Sequence, residues 1–131
     1  MLYKEDSLAR SFPLATGKTF PIGASVIINS LGQADTPTTQ ENVVGFVTAI
    51  DPDNRRVTVA TYFLNAVKAK ASAAIVVGTL VKENYALTAT NGIPTYAPAV
   101  ANDYACGLAL GSAAINGDLE VGLYETPLRK S

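Results

Sequence analysis

The chain has 131 residues, the size of one ordinary domain, with 10 Lys and Arg, 11 Asp and Glu and a net charge of −1. Charged residues make up only 16% and form no basic cluster, which argues against a nucleic-acid partner. There is no histidine and a single cysteine, Cys106, so an internal disulfide, Ser-His or Cys-His catalysis and histidine-based zinc sites are excluded.

No apolar run approaches the length needed to span a membrane as a helix. The opening Met1-Leu-Tyr-Lys-Glu-Asp6 lacks the apolar core of a secretion signal, and none is expected. A chain of this length buries roughly two thirds of its unfolded surface, enough for one core.

Residues 1–24 mix charges, Pro13 and isolated apolar side chains without a sustained period, and Gly17, Pro21 and Gly23 punctuate them. They read as an extended arm, set apart from a single β domain over 25–131. Leu2, Tyr3, Leu8, Phe12, Leu14, Phe20 and Ile22 make the arm too apolar for a plain disordered tail. Two destinations fit it, a neighbouring chain or its own domain.

Residues 25–29 (Ser-Val-Ile-Ile-Asn) read as a short strand, and 31–42 as a polar surface loop. Residues 43–50 and 55–64 read as strands joined through the turn Asp51-Pro-Asp-Asn54, a hairpin. Residues 65–74, rich in Ala and Lys, fit either one or two helical turns or a linking loop. The apolar run 74–82 bends at Gly78 between two strand segments. Residues 85–90 read as a strand, Asn91-Gly92 as a tight turn, and 93–97 as its return, with Pro94 and Pro98 marking an edge.

The clearest hairpin lies at 103–124. Tyr104, Cys106, Leu108 and Leu110 alternate onto one face of its first arm, and Leu119, Val121 and Leu123 onto one face of the second. Asn116-Gly117-Asp118 supplies a turn tolerant of positive φ. The tail from Thr126, with Pro127, reads as loose. Eight or nine short strands with regular turn signals predict an all-β fold, a small barrel or sandwich of mostly antiparallel strands, with at most one short helix and no exact internal repeat.

The candidate chemistry is thin. Asp51-Pro-Asp-Asn54 resembles the start of a calcium loop, but Arg56 and Tyr62 stand where such a loop needs Gly and Glu. Gly107 to Gly111 lacks the Gly-Lys-Ser/Thr of a phosphate loop, and no helix is expected after it. Asp103, Asp118, Glu120 and Glu125 are candidates for a carboxylate pair, yet with no Trp and 8% aromatics a sugar-cleaving cleft is poorly supported. Cys106 sits on an inward strand face and reads as a small apolar core residue. Lys68, Lys70 and Lys82 read as solvated charges that guard strand edges. Neither a cofactor nor a catalytic activity is expected.

Four stretches carry a family resemblance: Val-Gly-Phe-Val-Thr-Ala-Ile (44–50), Arg-Val-Thr-Val-Ala-Thr (56–61), Ala-Ile-Val-Val-Gly-Thr-Leu-Val (74–81) and Ala-Cys-Gly-Leu-Ala-Leu-Gly-Ser-Ala-Ala-Ile-Asn-Gly-Asp-Leu-Glu-Val-Gly-Leu (105–123). In this order they resemble the capsid decoration, or cement, proteins of tailed bacteriophages. The resemblance covers about residues 43–124; residues 1–42 carry no such match.

The resemblance implies a non-enzymatic β protein, often a homotrimer, on the outside of the virion head. It would be made in the host cytoplasm and would clamp the major capsid protein. The expected capsid contacts are the arm residues Leu2, Tyr3, Leu8, Phe12, Leu14 and Phe20. The rival expectation is a glycan- or ligand-binding β module of a head fibre or tail component, with Tyr62, Tyr85, Tyr96, Tyr104 and Tyr124 as aromatic contacts.

Overall fold

The structure is a computed structural model. It describes residues 9–38, 43–60 and 66–130, and for 124–129 the backbone alone. The expected all-β class is observed, with one short helix.

The N-terminal half forms a five-stranded sheet in the order β1-β5-β4-β2-β3. Its strands are β1 (Ala9–Pro13), β2 (Ser25–Ile28), β3 (Ala34–Asp35), β4 (Gly45–Ile50) and β5 (Arg56–Ala60). The hairpin β4–β5 turns at Asp51–Asn54 as its Pro and Asn predict, with Asn54 at φ 56 and Asp51 N–H bonded to Arg56 O at 3.0 Å. Leu14, just past β1, bridges Ala34 of β3, so the sheet curls until its two edges meet. Val26, Val47, Val57 and Val59 fill its inner face together with Phe20 and Ala24.

Over its described part, residues 9–24, the arm takes the second of its two destinations, its own domain. β1 pairs with β5 from Ala9↔Ala60 to Pro13↔Arg56, and Phe20 and Ala24 lie in the core. Alternation is hard to see there because β1 is an edge strand with three exposed residues out of five.

The C-terminal half is a closed barrel in the order β10-β6-β8-β7-β9. It comprises β6 (Val67–Ala71), β7 (Leu80–Glu83), α1 (Tyr85–Asn91), β8 (Thr95–Pro98), β9 (Tyr104–Ala109) and β10 (Asp118–Arg129). Small residues, Ala69, Ala71, Cys106 and Ala109, line the interior and leave room for Tyr96, which is fully buried. β6–β8 is the parallel pair, while every other strand pair in the barrel is antiparallel.

Four expectations are corrected. Residues 67–71 are a strand: Val67, Ala69 and Ala71 point in while Lys68 points out, so burial of one face overrides the helix propensity of alanine. Residues 85–90 are helical, because Asn84 caps the start with Oδ1 accepting from Leu87 N–H, and Gly92, at φ 68, closes the end in the left-handed region. Leu110 is exposed, since Ala109, paired with buried Val121, faces the core and alternation turns Leu110 outward. The tail is part of β10, with Leu128 and Arg129 paired to Ala105 and Tyr104.

The barrel also contains a structural repeat that its sequence does not spell out. Ala71, Ile75, Gly78 and Leu80 correspond to Ala109, Ala113, Asn116 and Asp118. The two copies make matching bonds: Gly78 N–H to Ala109 O and Ala109 N–H to Thr79 O in one, Asn116 N–H to Ala71 O and Ala71 N–H to Gly117 O in the other. They meet at a two-way bridge, where Ile75 and Ala113 exchange N–H···O bonds of 2.9 Å.

Candidate functional site

A cleft of about 530 Å³ opens where β7, the start of α1 and the turn before β9 converge. Its walls are Lys82, Asn84, Tyr85, Ala97, Asp103 and Tyr104, and Glu83 forms part of its floor. Strand alternation places these groups: Val81 faces the core, Lys82 faces out and Glu83 faces in. The Asn84 cap then turns Tyr85 toward the cleft.

Lys82 Nζ and Asp103 Oδ2 form an ion pair of 2.9 Å. The same carboxylate oxygen accepts from Val100 N–H at 2.8 Å. That backbone bond first, and Lys82 second, hold the Asp103 carboxyl below its ordinary range. The carboxylate is thus charged, fixed in direction and neutralised locally.

Glu83 is the buried acid of the molecule's described part. Its Oε1 accepts from Ser25 N–H at 3.0 Å and its Oε2 from Thr88 Oγ1 at 2.9 Å. Burial pushes its carboxyl up to about 7, with the bonds from Ser25 and Thr88 opposing. It ties β2 of the sheet to α1 of the barrel. A smaller cavity of about 220 Å³ lies along that seam, walled by Phe20, Ser25, Thr36, Glu83 and Thr88. Burial likewise raises the Tyr85 phenol and the Cys106 thiol, with the Glu83 carboxylate adding to both.

The sequence-derived candidates scatter. Leu2, Tyr3, Leu8 and Tyr62 lie outside the described residues, as do the side chains of Tyr124 and Glu125. Phe12 and Leu14 are half-buried against the sheet's core and Phe20 is within it, so these three arm residues do not offer a free apolar surface. Tyr96 is core, whereas Tyr85 and Tyr104 come together in the cleft. Asp103 joins them there; Asp118 and Glu120 are exposed on β10.

Glu83 went unread in the sequence. The signal was the alternation through Leu80-Val81-Lys82-Glu83, which sets Glu83 on Val81's inward face.

A second surface surrounds the Ile75–Ala113 bridge. Val76, Val77, Leu110 and Ile115 are 67%, 56%, 48% and 63% exposed, and Val77 N–H bonds to Ser112 Oγ at 2.9 Å. No charged residue occurs from Ala71 to Val81 or from Cys106 to Gly117. Neither protein-family models nor curated proteins give a match to this chain.

Proposed function

We propose that this chain is a structural virion protein that binds the outside of a tailed-phage head as a homotrimer and stabilises the lattice of the major capsid protein. One observation carries the reading. Two of the stretches that resemble decoration proteins, 74–81 and 105–123, form the two equivalent corners of the barrel, and between them they carry the exposed apolar side chains Val76, Val77, Leu110 and Ile115. A patch of this kind on a rigid scaffold marks a protein contact. In this reading the capsid contact lies at the corners instead of at Phe12, Leu14 and Phe20, which their own core occupies. A closed ring of three copies would present the patch three times, so weak contacts would add through multivalency.

The test is co-sedimentation with mature heads stripped of decoration. The full chain should bind saturably, and mass photometry should show a trimer. Val77→Lys and Ile115→Lys should abolish binding without lowering the melting temperature, because both residues are exposed. No binding by the full chain would overturn the role. Undiminished binding by both variants would overturn the corner assignment.

A further inference from the structure

The cleft beside Tyr104 has the chemistry of a saccharide site, and this holds whether or not the chain decorates a capsid. Two partly buried tyrosines, Tyr85 and Tyr104, line one concave surface, with the Tyr85 hydroxyl buried. The uncovered parts of such rings take the C–H faces of pyranose rings. Polar groups converge around them. The Asn84 Oδ1 accepts from Leu87 N–H, which fixes the amide at the cleft wall. Asp103 is oriented by Val100 N–H and Lys82, so its carboxylate is set in place before any hydroxyl arrives.

Charge narrows the ligand class. Lys82 is paired with Asp103 at 2.9 Å, so the two contribute no net charge to the cleft. Among the described lining residues Lys82 is the cation, and an acidic sugar, a phosphate or a sulfate would have to compete with Asp103 for it. Ala86 and Ala97 add apolar wall that suits a methyl group, as in an N-acetyl substituent. The volume of about 530 Å³ accommodates one or two pyranose rings.

We infer that this cleft, formed by Tyr85, Tyr104, Asn84 and the Lys82–Asp103 pair, is a binding site for a neutral mono- or disaccharide, with N-acetylated sugars preferred. The cleft is open to solvent, so affinity for a free disaccharide is on the order of 1 mM.

The experiment is an amide-resolved NMR titration of the intact chain with N,N′-diacetylchitobiose, with maltose as the non-acetylated comparison and glucuronic acid as the charged one. The expected result is saturable shifts confined to residues around Asn84, Tyr85, Ala97 and Tyr104, stronger for diacetylchitobiose than for maltose and absent with glucuronic acid. Tyr104→Ala should weaken binding about tenfold or more, as expected for loss of an aromatic platform.

Ala86→Arg guards against a folding artefact. Ala86 is exposed on α1, and arginine is nearly as good a helix former, so the fold is kept while the side chain obstructs the cleft. It too should abolish the shifts. No saturable shift with either neutral sugar, shifts located away from the cleft, or unchanged binding by Ala86→Arg would each overturn the inference. Because the titration uses no capsid, its failure leaves the decoration reading standing, and failed capsid binding leaves this one standing.

Discussion

Ser25 of the sheet donates its backbone N–H to the Glu83 carboxylate of the barrel at 3.0 Å. This bond crosses the seam between the two halves. In the barrel's repeat, Glu83 holds the position that Val121 holds in the other copy, and Val121 is a fully buried core residue. An acid thus replaces a core aliphatic where the sheet docks, and burying it is costly unless it is bonded or protonated.

The first prediction is a pH dependence. The folded-state carboxyl sits at about 7, above its ordinary 4.5. Protonation is therefore favoured by folding: the contribution of Glu83 to stability is complete below 4.5 and is lost as pH rises through about 7. The chain should melt at a higher temperature at pH 5.5 than at pH 8. Glu83→Gln should shrink that difference, and Glu83→Ala should cost about 2–4 kcal/mol at pH 5.5 by orphaning Ser25 N–H and leaving a void. Thermal unfolding at the two pH values decides it; an equal pH difference in Glu83→Gln would sink it.

The second concerns close approach of strands. A Cβ on Gly107 would lie 2.6 Å from Gly122 O and 2.7 Å from Val121 Cγ1, with β10 backbone in the way. Gly107→Ala should destabilise by about 1–3 kcal/mol. At Gly111 a Cβ meets nothing within 4 Å and φ is not positive, so Gly111→Ala should be neutral or stabilising by up to about 1 kcal/mol. Urea unfolding of the pair measures the contrast.

The third uses the equivalence of the corners. Gly78 has φ 86 and Asn116 has φ 64, both left-handed. Asn116→Gly should be tolerated, while Gly78→Val should cost about 1–2 kcal/mol from backbone strain alone, since nothing crowds that position. Equal melting temperatures for Gly78→Val and the parent chain would refute the shared corner geometry.

The fourth is chemical. Cys106 is fully buried, and burial pushes its thiol up. The thiol should resist a disulfide reagent in the folded protein and react in full on unfolding in guanidinium. Rapid labelling of the native chain would show an opening of the barrel that this structure does not contain.

Much of the fold was legible where one face is buried and the turn is explicit. Strands β4 and β5 follow from their β-branched, apolar runs, and the Asp51–Asn54 turn between them from its Pro, Asp and Asn. The errors have physical causes. Asn84 and Gly92 are good turn residues and equally good helix caps, and the seven residues between them are too few to display a helical period. The helix propensity of alanine in β6 yields to cross-strand pairing with β10 and β8. Tyr85 and Tyr104 are far apart in sequence, and only barrel closure brings them to one cleft. The repeat was hidden because hydrogen bonding preserves it while nearly every side chain differs, as Gly78 and Asn116 do.

β10 pairs with β6 on one side and with β9 on the other. The barrel therefore cannot close on a ribosome until Asp118–Arg129 has been made and released from the exit tunnel. The sheet of residues 9–60 is under no such restriction, since all its strands come from the first half. A nascent chain would pass through a stage with a finished sheet beside an open, edge-exposing half-barrel. Throughout that stage Ser25 N–H already waits at the seam for the Glu83 carboxyl.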